Sequence, residues 1–572
     1  MKDKKTDIRL YTKNFYRKNK LNFALALSET VLNVIAALLV SWLIQEIVDL
    51  IGGYDTKFSL IDLTLIAALL IVGIMLAGLI SYHSKPKFIT RGISGYKEYV
   101  FEKLTQKNIS AFSKENSSSY ISALTNDIQA IEKGYLESTF TILGSSLVFL
   151  GAITLMFIYS PQLTLIAIAL SLLPLIASIF TGSMLAAEEK KVSDKNEAYT
   201  ATIKDCLGGF SVIKSFKAEK EAIRIFKSKV KELSSVQCKK QKLAIIVSLL
   251  GEIAGNVAQI GVFIFGAYLA LSGKGVTAGT TIAFVQLMNY VLSPISLIPT
   301  AIAERLAARK LIEKTAAALD VNVREETDCT SHKIERAISI KNLSFAYEPQ
   351  KKILKDVSYT FEFGKKYAVV GTSGSGKSTI LNLLIGSYKN YDGAIYYDDV
   401  ELRKIKSESL YEIESIIQQN VFVFNATIKD NITMFRSFPE EAINETIRLS
   451  GLSELINEKG GDYLCGENGC ALSGGEKQRI SIARSLLKKS QILLVDEATA
   501  ALDAETAYQV SSEILSLRGV TAIVVTHSLD EALLKQYDGI ITMKDGSIIE
   551  SGSFDELLNK KGYFYSLFTV SQ

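Results

Sequence analysis

Long apolar segments dominate roughly the first half of this 572-residue chain, and they restrict its fold more than any other feature. A helix needs about 20 consecutive apolar residues to cross the hydrocarbon core of a bilayer, where irregular backbone is not stable. Six segments reach this length, so the sequence predicts a helical domain with six membrane spans. Their approximate bounds are residues 21–48, 60–82, 135–159, 163–186, 243–271 and 277–302.

The connections between these spans differ in length and in basic residues. The first, third and fifth are short, whereas the second and fourth are long and carry eight and fourteen Lys or Arg. Basic residues accumulate on the cytoplasmic side of a membrane protein. We therefore expect both termini and both long loops to be cytoplasmic, and their helical periodicity predicts helices that continue beyond the membrane.

Polar side chains recur at helical spacing inside three of the predicted spans. An ionisable group at membrane depth is costly and normally faces the bundle interior or a water-filled path. One interpretation is a polar lining for a substrate cavity; the other is interhelical hydrogen bonding that holds the bundle together. The residues are Glu29 and Asn33 on the first span, Glu252, Asn256 and Gln259 on the fifth, and Gln286, Asn289 and Ser293 on the sixth.

The sequence GTSGSGKST at residues 371–379 fits the phosphate-binding pattern G-x-x-x-x-G-K-[ST]. It follows a predicted strand and precedes a predicted helix, so its backbone N–H groups and the helix N-terminus favour anionic oxygens. We expect Lys377 to reach the β- and γ-phosphates of a nucleotide and Ser378 to bind Mg²⁺. The expected ATP-binding residues here are Gly371, Thr372, Ser373, Gly374, Ser375, Gly376, Lys377, Ser378 and Thr379.

Two further predicted strands end in residues that suit phosphoryl chemistry. ILLVDEAT places Asp496 and Glu497 at the end of one strand, and AIVVTH places His527 at the end of another. Such positions meet at the ligand-binding edge of a parallel sheet. We expect Asp496 to hold Mg²⁺, Glu497 to polarise the attacking water and His527 to sense the γ-phosphate.

The motif LSGGEKQR begins at Leu472, between the phosphate loop and the strand that ends at Asp496. With these elements the C-terminal half resembles the ATPase domain of ABC transporters, and the whole chain resembles a half-size ABC exporter of the bacterial multidrug, lipid and peptide type. The resemblance implies a six-helix transmembrane domain over residues 1–302, a linker over 303–335 and an α/β P-loop ATPase domain with a helical subdomain over 336–572.

The resemblance also assigns roles within the ATP site of one chain. Tyr347 matches the aromatic residue that stacks on adenine. Gln419 matches the glutamine that approaches Mg²⁺ and relays the nucleotide state to the membrane domain. Gln418 is the alternative register, although the spacing to Phe424 favours Gln419.

Other residues are implied to act across a dimer. Ser473, Gly474 and Gly475 match the signature that contacts ATP held by the opposite subunit, and Asp503 matches the loop that crosses the interface. One chain then contains two half-sites and no complete site. The implied cofactors are ATP and Mg²⁺, and the implied partner is a second half-transporter, identical or related.

Taken together, these features predict an ATP hydrolase that exports a small amphipathic substrate, such as a drug, lipid or small peptide, by alternating access in contact with membrane lipid. The expected location is a bacterial plasma membrane. The alternatives are an importer on the same scaffold, for example for siderophores, and a nucleotide-gated channel or receptor. The net charge of +4 is small for this length and gives no reason to expect nucleic acid, and five cysteines show no metal-ligand spacing.

Overall fold

The computed structural model describes residues 8–107, 109, 112, 117–320, 333–348, 351–419, 421–497 and 502–571. The chain divides into two compact units, which are described separately. The first consists of Met1–Thr105 and Ser117–Asp320, and the second of Gln106–Asn116 and Val321–Gln572.

The described part of the first unit is helical. A π-helical turn at Glu132–Glu137 joins its fifth helix to its sixth. The helices are α1 Ile8–Tyr16, α2 Lys20–Ile51, α3 Leu60–Thr105, α4 Ser117–Leu124, α5 Asn126–Ile131, α6 Ser138–Tyr159, α7 Pro161–Gly208, α8 Phe210–Ser215, α9 Glu219–Leu271 and α10 Ala278–Asp320.

The helical membrane domain expected from the sequence is confirmed. Among the described residues, five helical segments are long and apolar enough to cross a membrane: Lys20–Ile51, Leu60–Thr105, Asn126–Tyr159, Glu219–Leu271 and Ala278–Leu319. The remaining predicted span lies in α7, whose described apolar stretch is Pro161–Pro174. Proline suits the first turn of this helix because its missing N–H would have no partner there.

Helix α10 continues through residues 303–320, which the sequence predicted as part of a linker. Arg309, Lys310 and Lys314 are exposed, while Ala308, Ile312, Ala316 and Leu319 are buried at spacings of four and three. Apolar residues at this spacing form one buried face of a helix, so the helix remains stable beyond its membrane-spanning segment. Residues 321–332, the middle of the predicted linker, lie outside the described residues.

The short helix α1 packs against the part of α3 that follows its membrane-spanning segment. The ring of Phe15 stacks on that of Tyr96 at 5.3 Å between centroids, and Tyr11 meets Tyr99 edge to face at 5.1 Å. Gly95 permits the close approach, because a Cβ there would lie 3.2 Å from the backbone oxygen of Asn14.

The described part of the second unit contains two sheets and ten helices. Its strands are β1 Ala337–Ala346, β2 Lys352–Glu362, β3 Lys366–Gly371, β4 Asp392–Tyr397, β5 Val400–Glu401, β6 Glu414–Ile417, β7 Ile492–Asp496, β8 Thr521–Val525, β9 Gly539–Lys544 and β10 Ser547–Gly552. Its helices are α11 Lys377–Leu384, α12 Ser407–Ile413, α13 Ile428–Thr433, α14 Glu440–Leu449, α15 Ser453–Lys459, α16 Gly474–Lys488, α17 Ala504–Ser516, α18 Glu531–Leu534, α19 Phe554–Lys560 and α20 Tyr563–Ser571.

The larger sheet positions the site. Its strand order is β10-β9-β3-β8-β7-β6, and all neighbours pair in parallel except β10 with β9. Strands β3 and β7 are buried along almost their whole length, as expected for strands covered on both faces. The smaller sheet, β2-β1-β4-β5, is antiparallel.

Candidate ATP site

The phosphate loop follows β3 and leads into α11, as the sequence predicted. Gly371, Gly374 and Gly376 have φ angles of 150°, 79° and 99°, a region that side-chain-bearing residues rarely adopt. At Gly376 a Cβ would also lie 2.6 Å from a methyl group of Leu354. The loop therefore requires glycine for its backbone shape and for its packing.

Lys377 opens α11 and folds back over the loop. Its Nζ donates hydrogen bonds to the backbone oxygens of Gly371 at 3.0 Å and Thr372 at 3.1 Å. Burial lowers the pKa of this ammonium group, while Glu497 and Asp496 act to raise it. These carbonyl contacts hold the cation at the mouth of the loop.

Ser378 and Asp496 connect two adjacent parts of the site. The Ser378 hydroxyl donates a hydrogen bond of 2.8 Å to Oδ1 of Asp496. Burial raises the pKa of the Asp496 carboxyl, and the hydrogen bond from Ser378 opposes that change. A hydroxyl beside a carboxylate supplies the hard oxygen ligands that Mg²⁺ prefers.

Glu497 lies just beyond the end of β7 and contacts two of the other predicted residues. The Gln419 amide donates a hydrogen bond of 2.9 Å to Oε2, and Nε2 of His527 lies 2.8 Å from Oε1. Glu497 itself has a left-handed φ of 51°. Strands β7 and β8 are parallel neighbours, so their carboxyl ends place Glu497 and His527 together.

Ser375 lies within the phosphate loop, and Tyr347 contacts the last residue of the loop, Thr379. Tyr347 is 48% exposed, and its ring packs edge to face on Phe345 and Tyr388. These two contacts fix the orientation of an exposed aromatic ring. Its hydroxyl is 3.3 Å from Oγ1 of Thr379. The Ser375 hydroxyl is buried and has no hydrogen-bond partner among the residues that the structure describes. These residues fit a nucleotide, because its phosphate oxygens can accept from Ser375 and its base can stack on Tyr347.

The signature residues lie at the start of α16. Ser473 caps this helix: its Oγ accepts from the Glu476 N–H at 3.3 Å, and its own N–H donates to Glu476 at 2.6 Å. Both Ser473 and Gly474 are exposed, and Gly475 is half-buried. Ser473 therefore pairs with its own helix rather than with the phosphate loop, and the helix N-terminus remains open to an anion.

Asp503 caps α17. Its Oδ1 accepts from the Thr506 N–H at 2.9 Å, and this hydrogen bond lowers the pKa of the exposed carboxyl. The preceding residues 498–501 lie outside the described residues. The cap fixes the start of α17.

Sequence reasoning missed an arginine that joins the signature helix to the segment after Gln419. The Arg484 guanidinium donates to the backbone oxygens of Asn431 at 2.6 Å and Phe422 at 2.7 Å, and to Oδ1 of Asn431 at 2.7 Å. Asn431 is fully buried and also bonds the backbone of Phe424. The sequence did contain a signal for this contact, because Arg484 falls on the buried face of an amphipathic helix.

Sequence reasoning also missed Glu414, a fully buried carboxyl at the start of β6. It pairs with the Tyr397 hydroxyl, which also donates to the Leu384 backbone oxygen at 2.9 Å. One hydroxyl proton cannot serve both acceptors, so a protonated Glu414 that donates to Tyr397 satisfies the pair. Burial raises the pKa of Glu414 to about 8, which keeps it protonated at neutral pH.

The polar residues of the membrane spans fall into two groups. Glu29 is buried and accepts from Asn33 at 2.5 Å, Gln259 donates to Asn289 at 2.5 Å between α9 and α10, and Gln286 donates to Tyr290 at 3.3 Å. Glu252 accepts from Ser248 on its own helix, and Glu252 and Asn256 are exposed.

Two family profiles match the chain. One, described as the ABC transporter transmembrane region, matches residues 23–295, and the other, described as ABC transporter, matches residues 354–500. An ATP-dependent lipid A-core flippase of Vibrio vulnificus is 29% identical over 98% of this chain and 97% of its own length. An uncharacterized ABC transporter ATP-binding protein, YfiC of Bacillus subtilis, is 28% identical over 82% of this chain and 78% of its own length.

A solved structure, that of a bacterial Atm1-family ABC exporter with ATP bound, has the same fold. It superimposes with a TM-score of 0.85 at 21% identity and covers 96% of this chain and 98% of its own. The fold and the site thus define a P-loop ATPase domain joined in one chain to a helical membrane domain. The chain belongs to the ABC transporters and has the half-size exporter architecture. It is an integral membrane protein that binds nucleotide and couples its hydrolysis to transport.

Proposed function

We propose that two such chains, or this chain and a related one, form an ATP-driven exporter of an amphipathic, lipid-like substrate. The observation that carries this proposal is the division of the ATP site. Ser378, Asp496, Glu497 and His527 cluster around one phosphate loop. The Ser473 helix start, by contrast, is exposed, and among the described residues the Ser473 side chain pairs only within its own helix. A second chain would supply the missing signature to each site.

The residues of one chain would divide the chemistry among them. Ser378 and Asp496 would hold Mg²⁺, which neutralises charge on the transferred phosphoryl group when bound. Glu497 would accept a proton from the attacking water, with its carboxylate oriented by the Gln419 amide. His527 would donate to the γ-phosphate. Lys377 would exchange its carbonyl contacts for phosphate oxygens, a stronger pairing between opposite charges.

The proposed substrate class rests on the relatives and on the membrane helices. Several relatives are named lipid A-core flippases, and lipid A-core is an amphiphile. Glu252 and Asn256 are the most suitable cavity residues, because both are exposed on α9. For Gln259 and Asn289 the hydrogen bond joins α9 to α10 and supports a packing role, whereas the bond between Asn33 and Glu29 lies within α2.

An importer and a nucleotide-gated channel remain the alternatives. An importer would move the same substrate toward the ATPase side. A channel would conduct with little steady hydrolysis, and its flux would persist when hydrolysis is blocked. Neither the exposed signature nor the Glu497 arrangement favours a channel, because both serve repeated hydrolysis.

The test uses the purified chain in liposomes with the ATPase domain facing outward. We expect ATP addition to drive a fluorescent lipid from the outer leaflet to the inner leaflet or lumen, and the Glu497→Gln and Lys377→Ala variants to lose this movement. Lys352→Ala, which changes an exposed lysine at the start of β2, is the control. Movement in the opposite direction would indicate import, and movement in Glu497→Gln would indicate a channel.

ATP hydrolysis by the purified chain alone tests whether its partner is an identical chain or a related one. Activity that is lost in Glu497→Gln would indicate a homodimer. A folded sample that binds ATP without hydrolysing it would indicate that a related half-transporter is needed.

A further inference from the structure

One face of α3 lines two neighbouring cavities where the helix leaves its apolar segment. The α3 residues that line the cavities recur every three or four positions from Leu76 to Glu102, and Lys87 and Arg91 are among them. Residues at this spacing share one face of a helix. The first cavity, about 530 Å³, lies between α2 and α3. The second, about 670 Å³, lies between α3 and the α1 segment that precedes α2. Both are in the first unit.

The first cavity changes from apolar to polar along the helix axis. Its membrane end is lined by Leu25, Leu76, Leu79 and Ile80, and Leu76 and Leu79 are each 56% exposed. Its other end is lined by Asn22, His83, Ser84 and Lys87. This order matches a lipid, whose acyl chain contacts the apolar end and whose headgroup contacts the polar end.

The His83 ring lies at this polar end. Its Nδ1 lies 3.1 Å from the backbone oxygen of Leu79. A carbonyl oxygen can only accept, so Nδ1 carries the proton and donates. The ring therefore lines the polar end of the cavity beside Lys87.

The second cavity brings more positive charge to the same face. It is lined by Arg17 and Lys18, which follow α1, and by Thr90 and Arg91 from α3, one turn beyond Lys87. Glu98 and Glu102 line its far end. Arg17, Lys18, Lys87 and Arg91 are exposed, and none of the four has an ion-pair or hydrogen-bond partner for its side chain among the described residues.

Hydrogen bonds hold the turn between α1 and α2, so the backbone of Arg17 and Lys18 has a fixed position beside α3. Lys18 has a left-handed φ of 54°. The next residue, Asn19, is buried, and its side-chain amide donates to the backbone oxygen of Phe88 on α3 at 2.8 Å. It also accepts from the Asn22 amide at 2.9 Å. These bonds anchor the turn beside Lys87 and Arg91.

We propose that this face binds one anionic phospholipid of the membrane leaflet that contains α1, the inner leaflet in the predicted orientation. The acyl chains lie along Leu25, Leu76 and Leu79. The phosphate lies at Lys87, and Arg17, Lys18 and Arg91 surround the headgroup. Basic pockets between membrane helices recognise anionic headgroups in this way. The apolar end distinguishes the ligand from a soluble phosphate, and the cations distinguish it from a zwitterionic lipid.

Native mass spectrometry of the detergent-solubilised full chain tests the proposal. Phosphatidylglycerol, phosphatidylcholine with the same acyl chains, and inorganic phosphate are titrated separately. We expect one phosphatidylglycerol to bind more tightly than phosphatidylcholine, and inorganic phosphate not to bind. Each basic side chain near a membrane surface is worth about fivefold in affinity, so Lys87→Gln/Arg91→Gln is expected to weaken phosphatidylglycerol binding about 25-fold.

Lys97→Gln is the matched control, because Lys97 is an exposed lysine of α3 that lines neither cavity. It is expected to bind phosphatidylglycerol as the wild type does. Equal affinity for the two lipids in the wild type, or the same loss in Lys97→Gln as in the double variant, would overturn the proposal. Tight binding of inorganic phosphate would assign the face to a soluble anion instead. Loss of binding in Lys87→Gln/Arg91→Gln but not in Lys97→Gln separates this face from the site of the exported substrate, because neither variant changes a residue proposed for the substrate cavity.

Discussion

The side-chain amide of Gln419 donates a hydrogen bond of 2.9 Å to the Glu497 carboxylate, across the ends of two separate segments of the ATPase unit. Gln419 follows β6 and Glu497 follows β7, and these strands are parallel neighbours. The contact leaves the other carboxylate oxygen to His527. Glu497 is thus oriented from both sides by groups that can donate to it.

Replacement of Glu497 with Gln tests its role as the general base. The amide keeps an oxygen that accepts from Gln419 but cannot take a proton from water. We expect steady ATP hydrolysis to fall about 10²- to 10⁴-fold, the usual contribution of a general base, with ATP affinity little changed. Phosphate release and nucleotide binding are the two measurements. Glu505→Gln, in the first turn of α17, is the control, and hydrolysis near the wild-type rate in Glu497→Gln would exclude the assigned role.

Ser473 and Ser553 form the same capping box, with Glu476 and Glu556 respectively, and so provide a matched pair. Aspartate also caps a helix well, so Ser→Asp should preserve stability at both positions. At Ser473 the added charge would repel the phosphates of ATP on a partner chain. We therefore expect Ser473→Asp to lose most hydrolysis and Ser553→Asp to keep it, with similar melting temperatures. Equal hydrolysis by the two variants would exclude a phosphate contact at Ser473.

Glu414 is expected to make stability depend on pH. Its pKa is about 8 in the folded protein and near 4.5 when unfolded, so the folded state holds the extra proton between these values. This contribution to stability is present at low pH and is lost as pH rises through about 8. The melting temperature should therefore decline from pH 5 to 8 more steeply in the wild type than in Glu414→Gln, whose amide imitates the neutral carboxyl.

The neighbouring exposed Glu412 gives the control for this measurement, because Glu412→Gln should retain the wild-type pH dependence. The same slope in Glu414→Gln and in the wild type would mean that Glu414 is already ionised in the folded state at neutral pH.

Arg484→Leu should destabilise the ATPase unit. The change removes hydrogen bonds to two backbone oxygens and to the buried Asn431 side chain, and unpaired buried polar groups cost about 1–3 kcal/mol each. We expect a clear drop in the melting temperature of the full chain, measured by differential scanning fluorimetry. Arg448→Leu, at an exposed position in the last turn of α14, should change it little. Equal melting temperatures for the two variants would show that the Arg484 contacts are not stabilising.

The sequence predicted those parts of the structure that local patterns determine. Apolar length predicted the membrane helices, and the spacing of Gly371, Gly376, Lys377 and Ser378 predicted a strand, a loop and a helix in that order. The positions of Asp496 and His527 followed because parallel strands end at one sheet edge.

What the sequence could not predict depends on pairings between distant segments. Arg484 and Asn431 are far apart along the chain, and neither belongs to a sequence motif that predicts contact with the other. Glu414 sits in an otherwise ordinary strand, and its raised pKa follows from its burial in the folded unit. The extension of α10 to Asp320 was missed because charged residues on its outer face obscured the buried repeat.

The length of helix α9 has a mechanical consequence. It runs without an internal proline for 53 residues, or about 80 Å, while the hydrocarbon core is only about 30 Å thick. Most of the helix therefore acts as an arm outside the bilayer. A rotation of about 3° about its Leu271 end would carry Glu219 through about 4 Å, which exceeds the length of a hydrogen bond. Movements too small to open the bundle are thus large enough, at the far end of the arm, to break or form polar contacts.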